Sequence, residues 1–334
     1  MKSPWYHLFE LRHNFAQPVV FWITIVLAAA LGLTPLIFVV LQQAGKVDAK
    51  LSTELWKRYF SWLVMVPLLL LPVLLGPVWT IAGSALLGLF CYREFAGVTG
   101  IRRELSVHVP VLIGIAALTF AAFDHWYNFM MALFPLTITV IAAATILVDR
   151  PQGYLQRVAL GIAGFMLFGG AWAHVGFLAN DPLYCGYIIL LLVSVQLNDI
   201  FAYICGKTFG QRKLCPQTSP NKTIGGAVGA VVLTTIVTFL LGKCVFAGTP
   251  LAKPGALIAL GVLLSCAGQF GDLMLSSIKR DLGIKDMGDL IPGHGGLLDR
   301  FDSVLLAAPV FFHLINYYIG VAVDQPARIL SSGW

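Results

Sequence analysis

The stretch LLSCAGQFGDLMLSSIKRDLGIKDMGDLIPGHGGLLDRFD, residues 263 to 302, passes from an apolar run into a densely charged loop. Its first third is greasy and helical in length, interrupted by one acid, Asp272. The segment from Ser276 to Asp302 then concentrates five acids, four bases, a histidine and five glycines in a chain that is only 11% charged. An apolar span ending in a polar loop is the signature of a helix leaving a bilayer.

The rest of the chain repeats that pattern. With 58% hydrophobic residues, 334 residues cannot bury their apolar surface in one soluble core. The reading is an all-α polytopic integral membrane protein with about ten transmembrane helices. The expected spans are 18–41, 60–75, 77–92, 106–123, 128–148, 155–179, 184–204, 224–247, 255–277 and 303–323. The second and third meet at Gly76-Pro77, where one kinked helix is the competing reading. Charge decides against it. In the ten-span arrangement 17 of 22 Lys and Arg fall in loops on one side, which the positive-inside rule makes cytoplasmic, with both termini outside. The formal charge of +6 then reflects topology and anionic headgroups, and nucleic acid is not an expected partner.

The first span is too long for a signal peptide and reads as retained. Three regions are expected: an extra N-terminal helix with a basic loop at 1–54, a membrane domain at 55–323, and a tail at 324–334. The six cysteines show no C-x-x-C spacing, so they support neither zinc nor a disulfide framework.

Asp199 and Asp272 are the two acids well inside apolar spans. A charge there costs roughly 2.5 to 3.5 kcal/mol and marks a function by default. Each lies about six residues before the expected cytoplasmic end of its helix, on the order of 9 Å. Equal depth lets both carboxylates serve one metal centre. Asn198 and Gln269 are neighbours suited to a supporting polar cluster. The loop after Asp199, GKTFGQRKLCPQTSPNKTIGG, interleaves Lys207, Arg212, Lys213 and Lys222 with glycines and hydroxyls, a composition suited to polyphosphate. In the C-terminal loop, Lys279, Arg280, Lys285 and Arg300 suit phosphate, and His294 with Gly295 and Gly296 suits an anion nest. Asp286 and Asp299 are secondary candidates, while Asp302, followed by Ser303, reads as a helix cap. Together these features suggest a phosphate-handling site at a membrane surface.

The same residues resemble the phosphatidate cytidylyltransferases, the CDP-diacylglycerol synthases. The C-terminal pattern is carried by Ser276, Ile278, Lys279, Arg280, Lys285, Asp286, Gly288, Pro292, His294, Gly295, Gly296, Asp299, Arg300 and Asp302. The upstream pattern is carried by Asp199, Ala202, Tyr203, Gly206, Gly210, Ser219, Pro220, Lys222 and Thr223. Similarity is clear from about residue 180 to 305 and extends towards 55, through Pro67 and the Glu94 region. The resemblance implies CTP and phosphatidate as substrates, Mg²⁺ as two divalent ions on Asp199 and Asp272, and CDP-diacylglycerol and pyrophosphate as products. Asp272, Asp199, Lys279 and His294 are then the catalytic candidates. Ser219, Lys222, Thr223, Arg280, Lys285, Gly295, Gly296 and Arg300 are the phosphate-binding ones. One departure stands out: the family's usual Trp-Glu-Gly after Thr223 is replaced by Ile224, Gly225 and Gly226. The alternatives are a CTP-dependent enzyme for another lipid phosphate or a lipid alcohol, and an ion-coupled transporter. A bacterial plasma membrane is the expected location, and a homo-oligomer is compatible with the chain.

Overall fold

The computed structural model describes residues 17–44, 48–288, 295–321 and 329–331. Its ten main helices are α1 (Pro18–Gln43), α2 (Ala49–Leu75), α3 (Pro77–Val98), α4 (Leu105–Phe123), α5 (Tyr127–Ile146), α6 (Tyr154–Leu178), α7 (Tyr184–Phe209), α8 (Ile224–Val245), α9 (Pro254–Asp281) and α10 (Leu298–Ile319). Among the described residues, α1 to α9 each contain a stretch long and apolar enough to cross a membrane, that of α2 being Leu55–Leu75. The tenth expected span begins earlier than anticipated. Its helix, α10, has 22 residues but carries Asp299, Arg300 and Asp302 in its first turns, so its apolar part is short. It lies inside the bundle, with Phe301, Val304, Leu305, Phe311, Phe312 and Ile315 all buried.

Spans two and three are separate helices. Gly76 breaks the chain at φ 132°, a backbone conformation that favours glycine, and Pro77 starts the next helix. A Cβ on Gly83 would lie 2.9 Å from Pro72 Cβ, so the chain has doubled back. In a continuous helix those residues would stand about 16 Å apart.

The interior is formed by α6, α7 and α10, with the buried faces of α3 and α4 packed into the same core. Helix α6 is interrupted by a π-helical segment, Phe165–Gly170, beyond which Trp172 packs edge-on to Phe301. At the turn between α4 and α5, Asp124 accepts hydrogen bonds from the backbone N–H of Leu330 and of Ser331, the latter at 2.9 Å, which ties the end of the chain to the bundle. Helix α1 is peripheral: it buries only Val20 and exposes Trp22, Val26, Leu33, Leu36 and Val40, as a lipid-facing helix does. It packs on α2 through Phe38, Trp56 and Tyr59.

The all-α expectation has one exception. The polar loop after α7 folds into an antiparallel ribbon, β1 (Lys213–Cys215) and β2 (Ser219–Thr223), with Lys213 opposite Thr223 and Cys215 opposite Ser219. Helices α7 and α9 also run about a turn past their expected ends. Asp199 and Asp272 therefore lie ten and nine residues before the C-termini of their helices, still at matched depth.

Candidate active site

A polar seam beneath the site holds α7, α8 and α9 together. Asn198 is fully buried, and its Oδ1 accepts hydrogen bonds from Thr234 Oγ1 at 3.3 Å and Ser265 Oγ at 2.5 Å. Gln269 Nε2 donates to Ser265 Oγ at 3.1 Å and to the Ala227 carbonyl at 3.3 Å. In a bilayer interior, such side chains must find partners on neighbouring helices, and doing so fixes the helices in register. The register sets Asp199 and Asp272 above the seam.

Three carboxylates on three helices converge there. Asp272 Oδ2 lies 2.6 Å from Lys222 Nζ, and its Oδ1 accepts from Ser276 Oγ at 3.2 Å. Asp199 accepts from Ser303 Oγ at 3.3 and 3.4 Å. Asp302 is buried, accepts the Ser303 N–H at 2.8 Å, and lies within electrostatic range of Asp199, Asp272 and Lys279. The sequence explains the approach. Gly271, next to Asp272, lies against α10 so closely that a Cβ there would be 2.5 Å from the Asp302 carbonyl oxygen. Glycine is required for this contact.

Asp302 therefore does not cap a helix. The residue preceding α10 is Leu297, and the N-terminal N–H groups are satisfied from elsewhere. Glu94, on α3, accepts Leu297 N–H at 2.9 Å through Oε1 and Leu298 N–H at 2.8 Å through Oε2. Asp299 accepts Gly296 N–H at 3.0 Å and Met287 N–H at 2.8 Å through Oδ2, and Lys279 Nζ at 2.8 Å through Oδ1. The glycines pack on these acids: a Cβ on Gly288 would lie 2.9 Å from Glu94 Oε1, and one on Gly296 only 2.5 Å from Glu94 Oε2. The N–H of Gly296 is thus taken by one of the chain's own carboxylates. Gly295, at φ 81°, brings the chain against Asp286 and Asp299.

The sequence candidates sort into three places. Asp199, Asp272 and Lys222 form the carboxylate centre, joined by Asp302, Ser303 and Ser276. Lys279, Asp299 and Gly296 organise the base of the glycine loop, with Asp286 and Lys285 exposed beside it and Arg300 in the first turn of α10. Arg280 reaches across to the ribbon, donating to the Thr218 carbonyl at 3.4 Å, near Ser219. Thr223 is buried and caps α8, its Oγ1 accepting Gly226 N–H at 3.1 Å. His294 lies outside the described residues. The sequence reading missed Glu94 as a partner of this loop, 203 residues away, and misassigned Asp302. For Asp302 the signal was its place in the resemblance pattern; for Glu94 it was an acid near the end of an apolar span.

The Gly225 departure has a packing reason. A Cβ at 225 would fall 2.7 Å from the Phe209 carbonyl oxygen, so no side chain fits unless α7 and α8 separate. Gly225→Ala is expected to cost about 1–3 kcal/mol. A lowered thermal unfolding midpoint in detergent checks this, with Gly97→Ala as the control because open space surrounds Gly97.

Among the described residues no group of three His, Cys, Asp or Glu is arranged to hold a metal ion. Asp199 and Asp272 nonetheless offer carboxylate oxygens of the kind that a hard divalent cation would take.

Comparison with known proteins gives the context. The model of the cytidylyltransferase family matches residues 56–318, which leaves α1 outside. The chain is 35% identical over 252 residues to uncharacterized protein YnbB of Escherichia coli, covering 73% of this chain and 82% of that one. It is 32% identical over 253 residues to a phosphatidate cytidylyltransferase of Staphylococcus haemolyticus, covering 74% and 94%. It is also 32% identical over 226 residues to one of Bacillus subtilis, covering 64% and 80%. The chain belongs to the cytidylyltransferase family.

Proposed function

We propose that the chain transfers the cytidylyl group of CTP to phosphatidate, giving CDP-diacylglycerol and pyrophosphate. The observation that carries this reading is the convergence of Asp199, Asp272 and Lys222 beside two loops rich in phosphate-binding residue types. The named relatives supply the substrate class.

The chemistry asks little of a base. A phosphate oxygen of phosphatidate is already anionic; it attacks the α-phosphorus of CTP, the bond to the bridging oxygen breaks, and pyrophosphate leaves with the electron pair. The difficulty is bringing two anions together. Asp199 and Asp272 would hold Mg²⁺, two ions on the sequence reading, and the ions would supply charge neutralisation at the reacting phosphates. Lys222 and Arg280 supply further positive charge, and Lys279 with Asp299 holds the loop in place. The loops are assigned to the cytoplasmic face, with both termini outside, on the positive-inside argument, and the bacterial relatives suggest a plasma membrane. Carboxylates set two to three turns inside the helix ends suit a lipid arriving sideways and a nucleotide arriving from water.

Product analysis distinguishes this reaction from a lipid kinase. With CTP labelled at the γ-phosphate, the label is expected in pyrophosphate; label recovered in lipid, with CDP released, would replace the proposal with a CTP-dependent kinase.

A further inference from the structure

We propose that Lys222 and the divalent cation compete for Asp272, so that cation binding transfers the lysine from the carboxylate to the nucleotide phosphates. The inference rests on the cation site proposed above and adds an order of events to it. Both oxygens of Asp272 are engaged within the chain, Oδ2 by Lys222 at 2.6 Å and Oδ1 by Ser276 at 3.2 Å. A neutral hydroxyl tolerates a metal on the same carboxylate. An ammonium group in contact with it does not, because the two positive charges repel at contact distance in a partly desolvated site. Both side chains are only about a quarter exposed, 25% for Lys222 and 27% for Asp272, so solvent screens the repulsion weakly.

The surroundings let the ammonium move while its backbone stays put. Lys222 is in β2, held by pairing with β1, and the next residue, Thr223, caps α8. Only the four-carbon stem is left to swing. Asp199 differs, because its hydrogen-bond donor is the hydroxyl of Ser303, and the charge of Lys222 reaches it across the site without forming the contact ion pair made with Asp272. A cation therefore meets one carboxylate that is open to it and one that it must take from a lysine. The released ammonium stays beside the site, where an arriving phosphate oxygen is its natural partner. Cation and nucleotide then bind cooperatively, through one side chain.

The test uses the full chain in detergent micelles with Mn²⁺ as the probe, free Mn²⁺ being read by electron paramagnetic resonance. Lys222→Met is expected to bind Mn²⁺ about five-fold or more tighter than the native chain in the absence of nucleotide. At saturating Mn²⁺ it is expected to bind CTP more weakly. Lys222→Arg, which keeps the charge and guards against a folding artefact, is expected to keep the native Mn²⁺ affinity. Unchanged or weaker Mn²⁺ binding by folded Lys222→Met, with Asp272→Asn binding none, would overturn the competition while leaving the cation site standing. Native Mn²⁺ binding by Asp272→Asn would remove the site itself.

Discussion

Asp272→Asn is expected to insert and fold as the native chain does and to lose about 10³-fold or more in turnover. The asparagine keeps the shape of the aspartate and an oxygen for Ser276, so packing against α10 through Gly271 is undisturbed. What disappears is the charge. Lys222 loses its ion-pair partner and a cation loses one of its two proposed anchors. Steady-state turnover with CTP and phosphatidate, beside a thermal unfolding curve, checks both halves. Native-like turnover would sink the assignment of Asp272.

The second large effect is expected at Glu94. Its carboxylate satisfies the two N–H groups that open α10, and hydrogen bonds to a charged acceptor are worth about 1.5–3 kcal/mol each. Glu94→Ala leaves both donors without a partner in a region where Leu297 and Leu298 are buried. It also removes the surface on which Gly288 and Gly296 rest. Because α10 carries Asp302 and Ser303 into the carboxylate centre, its displacement reaches the chemistry. Turnover is expected to fall about 10²-fold, with a lower unfolding midpoint. Glu94→Gln, which keeps one acceptor oxygen, is expected to fall between Ala and the native chain on both measures. Equal stability and turnover across all three would show that the clamp is dispensable.

Hydrophobic run length and loop charge were enough to read the membrane class and to separate α2 from α3, because bilayer thickness and the positive-inside bias act on single segments. Asp199, Asp272 and the Asn198 cluster were legible for a related reason: a polar group in an apolar span has no local explanation. Long-range partnerships were not legible. Nothing near Glu94 in sequence announces that it caps the start of a helix 203 residues away. Asp302 followed by Ser303 looks like a cap, because local sequence cannot show that the helix has already begun at Leu298. At the described end of the glycine loop, the Gly296 N–H meets Asp299 and the Leu297 N–H meets Glu94, partners that local sequence does not reveal. The ribbon at 213–223 was hidden because its short, polar strands carry no alternation to recognise.

The central claim is cytidylyl transfer to phosphatidate at the carboxylate centre. Its most direct test supplies the purified chain in detergent micelles with CTP labelled in the cytosine ring, phosphatidate and Mg²⁺, and follows label into the organic phase. The account predicts lipid-extractable cytidine that depends on phosphatidate and is lost with a chelator and in Asp272→Asn. No label in the lipid from a folded chain, or label that persists in Asp272→Asn, would contradict it.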